Sequence, residues 1–314
     1  MTIYFSAKDA PKAQRALALG FFDGVHRGHL TLLRAMCEEA ENRHLIPSVF
    51  TFQDPPGKMF NPAFKGLIQE REDRFQSLLD AGAKDIIAVP LIPEIYQMKP
   101  ETFLNRYFLE DLGVKAAFAG EDFRFGDHAS GTKEMLSDFC KKHGISLSLL
   151  PDACFEGRKL SSTRIREALQ EGRCHEATLM MGRPFQQRGI ILRGKQLGRR
   201  LGFPTANLRP SPELLIPRPG VYLSEVVWDG RVLPAVTNIG YRPSVEESTE
   251  VRSESYIFSS LIPQYGDSIT VRYLDFMRPE KRFHSASELK EQVLSDKAMA
   301  KARHERLSGH PVLE

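Results

Sequence analysis

No run of about 18 consecutive apolar residues occurs in this chain, which excludes a transmembrane helix as a reading of the sequence. The opening MTIYFSAKDAPKAQ lacks the basic start and apolar centre of a secretory leader, so the expected compartment is the cytoplasm. Cysteine is scarce: Cys37, Cys140, Cys154 and Cys174 lie far apart and form no CxxC pair. Buried, reduced thiols are the expectation, with disulfides or a zinc site as the alternatives. Neither sign of charge dominates, and a net charge of +3 gives no ground for a nucleic-acid or membrane partner. Repeats and low-complexity tracts are absent, so neither a solenoid nor a disordered chain is implied. What is present is an ordinary globular composition, 41% hydrophobic and 26% charged, over 314 residues, a length that favours two domains over one.

The two halves differ in texture. Short β-rich runs at Ala16–Phe22, Ile46–Phe52, Asp85–Leu91, Val114–Ala119 and Ile145–Leu150 alternate with helical stretches such as Leu30–Arg43, Ile68–Ala81, Glu101–Leu112 and Lys133–His143. Five strands with helical crossovers predict a doubly wound parallel α/β sheet, with its ligand at the carboxyl ends of the strands. Beyond about Met181 the strand-like segments Phe185–Leu192, Val221–Trp228, Val232–Ile239, Ser253–Phe258 and Ile269–Phe276 follow one another with turns and almost no helix. That pattern predicts an antiparallel β-barrel, closed by a terminal helix over Ser285–Leu307 with Ser285 and Glu288 as a capping box. The expected domains are 1–181 and 182–314. Charge is uneven between them: 23 basic against 25 acidic residues over 1–180, and 20 against 15 thereafter. A polyanionic small ligand such as a nucleotide accounts for the basic excess.

Where the first strand should hand over to the first helix stands ALGFFDGVHRGHL, Ala18–Leu30. A glycine-rich strand-to-helix turn presents backbone N–H groups and a helix N-terminus, both suited to phosphate. His26 and His29, three apart, can face one bound phosphate and stabilise the charge developing there. Two isolated histidines would read as packing or surface side chains; here the strand, Gly20, Asp23-Gly24, Gly28 and both histidines agree. Further on, Ser161–Arg166 reads SSTRIR, where Ser162 or Thr163 could cap a helix and Arg166 could point to the same phosphates. A capped helix with a solvated arginine is its plainer reading.

A second constellation, Gly189–Leu208, couples a basic glycine-rich loop to GFPTAN. It is not a P-loop, because GxxxxGK[ST] is absent. The loop over Gly194–Arg200 can wrap a nucleotide with backbone amides, Lys195 and Arg199. Thr205 and Asn207, two apart on an extended segment, share a side and offer neutral oxygens suited to Mg²⁺. Alone, PTAN could be only a turn before a strand.

The first segment carries the HxGH signature of nucleotidyltransferases, and SSTRIR resembles their second signature. GFPTANL, GVY at Gly220–Tyr222, TNIGYRPS at Thr237–Ser244, ESYI at Glu254–Ile257 and RPEKRF at Arg278–Phe283 stand in the order seen in riboflavin kinases. From about residue 15 to 307 the chain therefore resembles the bifunctional prokaryotic riboflavin kinase/FAD synthetase family. The resemblance implies an N-terminal FMN adenylyltransferase, a C-terminal riboflavin kinase with a six-stranded barrel, riboflavin, FMN and ATP as substrates, and Mg²⁺. Carried over by position, His26 and His29 are catalytic, and Gly20, Phe22, Asp23, Gly28, Asp122, Lys159, Ser161, Ser162, Thr163 and Arg166 bind the first nucleotide. Gly194, Lys195, Gly198 and Arg199 bind the second. Thr205 and Asn207 are implied metal ligands, Glu254 the general base for the riboflavin hydroxyl, and Arg278 and Glu280 flavin contacts. A bystander strand carboxylate is the alternative for Glu254.

The chain departs from the family at several places. Phe21 stands where the family has Asn, Pro55 where it has His, and Ala129 or Ser130 where a basic residue is common. Lys159 replaces an Arg, Tyr256 the His of E-x-H, and Ser244 a Thr. The alternatives are a riboflavin kinase with a weakened or inactive N-terminal domain, or a flavin- or nucleotide-binding regulator.

Overall fold

The computed structural model describes residues 1–193, 203–243, 249–259 and 261–308. By contact the chain divides into two units, Met1–Ser162 and Thr163–Glu314. This divide falls earlier than the one read from sequence near Met181. The segment between the two positions is tied into the second unit: Arg218 donates its backbone N–H to Leu169 O at 3.0 Å and its side chain to Glu171 O at 3.3 Å, and Cys174, Ala177, Met180 and Met181 are buried.

The first unit is a six-stranded parallel sheet in the order β1-β4-β3-β2-β5-β6. Its strands are β1 Thr2–Tyr4, β2 Arg15–Leu19, β3 Ile46–Phe52, β4 Asp85–Val89, β5 Val114–Gly120 and β6 Ser146–Leu150, and beyond them the short strands β7 Cys154–Phe155 and β8 Arg158–Lys159 pair with each other. Five were expected. The sixth, β1, has three residues, too few to show a period, and is a strand because it pairs with β4. The expected alternation of strand and helix is present because both faces must be covered: Leu17, Leu19, Ile87, Val89 and Ala117 join one core, while Ala16, Ala18, Ile86, Ala88 and Ala116 join the other. The helix Arg27–Asn42 lays Leu32, Leu33, Met36 and Ala40 on the second of these. The helix expected over Glu101–Leu112 is instead a short α-helix, Pro100–Leu104, continued by a wider π-turn over Asn105–Asp111.

At the amino edge of the sheet the fully buried Arg15 donates to Pro11 O at 2.8 Å, to Ser48 Oγ at 2.8 Å and to the Asp85 carboxylate at 2.5 Å. One guanidinium thereby joins the starts of β2, β3 and β4.

The second unit holds a closed antiparallel barrel, β10-β13-β12-β11-β14-β9. Its strands are β9 Phe185–Leu192, β10 Thr205–Leu208, β11 Gly220–Trp228, β12 Arg231–Pro243, β13 Thr249–Ile257 and β14 Ser268–Pro279. PTAN, open between turn and strand in the sequence, supplies most of β10. The barrel interior is partly polar and satisfied within itself: Thr237 Oγ1 bridges Ser224 and Ser255 at 2.7 and 2.8 Å, and Tyr273 reaches Gln187 at 2.7 Å. At Gly220, φ is +152° and a Cβ would stand 2.4 Å from Arg278 O, so only glycine fits there.

The terminal helix Ala286–Ser308 begins as expected: Ser285 Oγ accepts the Glu288 N–H at 3.1 Å, although the Glu288 carboxylate takes the N–H of His284 and not that of Ser285. Asp296 on this helix accepts from Nε and one terminal nitrogen of Arg278, at 2.6–3.1 Å, while the other terminal nitrogen donates to Pro279 O at 3.0 Å, and His304 lies 3.1 Å from Ala235 O. All four cysteines are free thiols, but burial holds only for Cys140 and Cys174, since Cys154 is exposed and Cys37 half-buried. Cys154 sits on the two-stranded turn Cys154–Lys159, too small to have an interior.

Removing one partner of a buried ion pair leaves the other charge desolvated and alone. Arg15→Met should therefore lower the stability of the first unit by about 3–5 kcal/mol. Adding Asp85→Leu should recover part of that loss, and urea unfolding followed by circular dichroism measures both. Equal stability of Arg15→Met and the parent would refute the pair's structural role.

Candidate active sites

The first site lies where the sheet reverses direction: β2 has β3 on one side and β5 on the other, and a crevice opens between their carboxyl ends. The chain leaves β2 at Leu19 and turns through Phe22, whose φ of +59° is left-handed, and Gly24 at +76° before entering the helix at Arg27. Phe22 is driven into this conformation by burial. Its ring occupies the space above Gly20, where a Cβ would meet it at 3.1 Å, and its edge meets His29 at 5.2 Å between centroids.

His26 is the N-cap of that helix, and its Nδ1 accepts the N–H of His29 at 3.3 Å. This bond fixes the tautomer, leaving Nε2 to carry the proton. The two imidazoles stack at 3.6 Å with 14° between planes, so they act as one block. Gly28 leaves room for that closeness: a Cβ there would lie 3.1 Å from Ala153 and 3.2 Å from the His26 ring, so one of them would have to shift by a few tenths of an ångström.

Gly20, Phe22, His26, Gly28, His29, Asp122, Lys159, Ser161 and Ser162 all line one pocket of about 270 Å³. Lys159 is held in it by Asp122 at 2.6 Å and Asp152 at 2.8 Å. The two hydrogen bonds hold its ammonium pKa above the usual lysine value. Asp152 was not read from the sequence; its signal was its place just past the end of β6.

Asp23 behaves otherwise. Its carboxylate accepts the N–H of Ile68 at 3.1 and 3.2 Å, and its carbonyl accepts the Ser162 hydroxyl at 2.9 Å, so it braces the turn. Thr163 and Arg166 lie on the helix Ser162–Gln170, Thr163 exposed and Arg166 half-buried, while Arg164 is the buried arginine.

Beside this pocket, and sharing Gly20, Asp122 and Phe123 with it, is a cavity of about 730 Å³. Its walls are aromatic: Phe21, Phe50, Phe52, Phe60, Tyr96, Phe103, Phe123 and Phe125, with Arg124 and His128 at polar positions. These residues come from six separate segments, which is why no local motif announced the cavity.

In the barrel the register does the assembling. Asn207 on β10 stands directly opposite Glu254 on β13, and Thr205 opposite Tyr256. Facing pairs on antiparallel strands place their Cβ atoms about 4.5–5.5 Å apart. Glu254 is also opposite Asn238 on β12, a neighbour that the sequence did not single out. Thr205 and Asn207 line a cavity of about 350 Å³ with Pro204, Gln264 and Tyr265 among its walls.

Asn207 is 6% exposed; its amide N–H donates to Thr205 O at 3.2 Å, and its Oδ1 is buried with no hydrogen-bond partner among the described residues. An orphaned carbonyl oxygen beside a hydroxyl is a donor set that suits a hard cation. Tyr256, in place of the family's His, packs on Phe258 and carries Lys297 Nζ 5.0 Å over its ring. Gly194, Lys195, Gly198, Arg199 and Ser244 lie outside the described residues. Arg278 is engaged by Asp296, and the Glu280 carboxylate lies over Gly240.

Paired imidazoles on a strand-to-helix turn at the carboxyl edge of a parallel sheet define a nucleotidyltransferase of the HxGH class, here joined to a six-stranded barrel. The family described as FAD synthetase matches residues 8–164, and that described as riboflavin kinase matches residues 181–304. The Bacillus subtilis bifunctional riboflavin kinase/FMN adenylyltransferase is 32% identical, over 92% of each chain, and that of Escherichia coli 33%, over 93% of each. A crystal structure described as a macrolide-efflux protein from Streptococcus pneumoniae superimposes with a TM-score of 0.86 at 27% identity, covering 95% of this chain and 98% of its own. Among the described residues no helix is long and apolar enough to cross a membrane. This chain belongs to the family of bifunctional riboflavin kinase/FMN adenylyltransferases.

His29→Ala removes one imidazole from the histidine-lined pocket. The expected result is a loss of about 10²–10³-fold in FAD formation from supplied FMN. Phosphorylation of riboflavin, which uses the other unit, should stay within twofold. Chromatographic assay of FAD checks the first and of FMN the second; loss of both activities together would contradict the assignment of His29 to one site.

Proposed function

We propose that the N-terminal unit adenylylates FMN with the His26/His29 pocket and the adjoining aromatic cavity, and that the barrel phosphorylates riboflavin with Glu254 as base. The chain makes FMN from riboflavin and FAD from FMN, with ATP the cosubstrate of both steps. In the first unit a phosphate oxygen of FMN bonds to the α-phosphorus of ATP as the bond to pyrophosphate breaks. His26 and His29, with Lys159, face the triphosphate and neutralise the charge that gathers on the leaving oxygens. The backbone around Gly20 and Gly28 and the Ser161 and Ser162 groups hold the remaining oxygens, and the aromatic walls take the isoalloxazine ring. Thr163 and Arg166 are assigned to the same nucleotide.

In the barrel the 5′-hydroxyl oxygen of riboflavin bonds to the γ-phosphorus, ADP leaves, and Glu254 receives the hydroxyl proton. Thr205 and Asn207 would hold Mg²⁺, which supplies positive charge to the nucleotide phosphates when bound. Gly194, Lys195, Gly198 and Arg199 are assigned to the phosphates, and Arg278 and Glu280 to the flavin edge. We place both reactions in the cytoplasm, with riboflavin, FMN and ATP as the small-molecule partners.

The observation that carries this reading is the junction at Gly20, Asp122 and Phe123 of a small histidine-lined pocket with a large aromatic cavity. A phosphate-binding pocket opening onto a flat, apolar one is the shape a phosphorylated aromatic substrate needs. The Phe21, Pro55 and Ala129 departures leave both intact, so an inactive N-terminal unit is not favoured.

The test is incubation of the protein with riboflavin, ATP and Mg²⁺, separating FMN and FAD by chromatography; accumulation of FMN without FAD would refute the adenylylation half. For the kinase half, Glu254→Gln keeps the shape and loses the proton acceptor. Its FMN formation should fall about 10²–10⁴-fold, with FAD formation from supplied FMN within threefold of the parent. Kinase activity within threefold of the parent would remove Glu254 from its role.

A further inference from the structure

Arg74, on the helix Arg71–Asp80, is 1% exposed, and its guanidinium lies beneath the carboxyl edge of the sheet. One of its terminal nitrogens donates to Phe21 O at 2.6 Å and Thr51 Oγ1 at 2.8 Å; the other donates to Phe52 O at 2.8 Å and Gln53 O at 3.3 Å. Its plane also stands 4.2 Å from the centroid of the Phe21 ring and 5.0 Å from that of Phe75. Burial pulls its pKa down to about 10, which still leaves it protonated at neutral pH.

A buried cation is costly, and for stability alone an apolar side chain of that volume would serve. What a guanidinium adds is geometry. Its planar fork reaches two strand ends at once and offers a flat face to an aromatic ring. Phe21 and Phe52, whose carbonyls it holds, both line the large cavity, and neither lines the phosphate pocket. The polar groups of that smaller pocket are fixed by other bonds: His26 to the N–H of His29, Ser162 to Asp23 O, and Lys159 to its two carboxylates.

We infer that Arg74 is a positioning residue for the flavin substrate, holding the Phe21 ring and the end of β3 as one rigid wall of the aromatic cavity. This rests on the reading of that cavity as the FMN site. Phe21 is accordingly the contact through which Arg74 acts, and the aromatic ring standing where the family has Asn is a specificity-determining side chain of this chain.

Steady-state kinetics of FMN adenylylation, with FMN and ATP varied in turn, tests it. Arg74→Lys and Phe21→Leu should each raise the KM for FMN about tenfold and leave the KM for ATP within threefold. The double variant Phe21→Leu/Arg74→Lys should be no worse than the poorer single one, because both changes remove the same wall. Additive effects, an equal rise in the KM for ATP, or an unchanged KM for FMN would overturn the proposal. If Arg74→Lys does not fold, Phe21→Tyr and Phe21→Leu decide: Tyr keeps the stacked ring and should stay within threefold of the parent, and equal behaviour of the two overturns it. A parent protein that forms no FAD from FMN would instead refute the adenylylation reading itself.

Discussion

A parallel sheet ends in two rows of strand termini whose backbone groups must find partners, and the N-terminal unit is organised around how each row is closed. A buried arginine takes part at both. At the amino edge Arg15 meets a carboxylate, a hydroxyl and a carbonyl, so its charge is balanced by Asp85 within the same hydrogen-bonded group. At the carboxyl edge Arg74 bonds to a hydroxyl and to the carbonyl oxygens of Phe21, Phe52 and Gln53. The first arrangement makes a neutral knot that holds strands together. The second fixes strand ends through neutral oxygens alone, with Asp23 and Asp54 near enough to act on its charge but not hydrogen-bonded to it.

Much of this was legible in the sequence, and the reason is local. Alternation of β-rich runs with helical periods betrayed the sheet because each strand is covered on both faces, and the turn Gly20–His29 carries its own chemistry within ten residues. The two histidines stack because they are three apart at the start of a helix, a spacing visible before any fold is known. The capping of the terminal helix by Ser285 was equally local.

What stayed hidden depends on distant partners. The three residues of β1 become a strand only because β4 offers an edge. Asn207 and Glu254 are 47 positions apart in sequence and meet only through strand register, so their adjacency could be inferred from family resemblance but not from spacing. The aromatic cavity draws on six segments spread from Gly20 to Ala129, whose side chains meet only in the fold. Arg74 was invisible for the same reason: in REDRF it looks like one of several surface charges, and only the carbonyls of Phe21, Phe52 and Gln53 show that it is interior.

The two sites also differ in a way their substrates demand. An alcohol that attacks phosphorus must give up its proton, and the base proposed for this in the barrel, Glu254, stands opposite Asn207, whose side-chain oxygen is left without a hydrogen-bond partner among the described residues. The phosphate of FMN is already an anion and needs no base. Its problem is repulsion from the triphosphate it must approach, and the remedy is positive charge and N–H donors. In the proposed adenylylation site the histidine-lined pocket offers stacked imidazoles, a helix N-terminus and Lys159, while its carboxylates Asp122 and Asp152 are turned onto the lysine ammonium. An ammonium held between two carboxylates cannot meet an incoming phosphate at full strength. On the proposed reading, binding of the triphosphate must therefore compete with Asp122 and Asp152 for the same cation, which makes the grip of that pocket on nucleotide a matter of balance between carboxylates and phosphates and not of lysine alone.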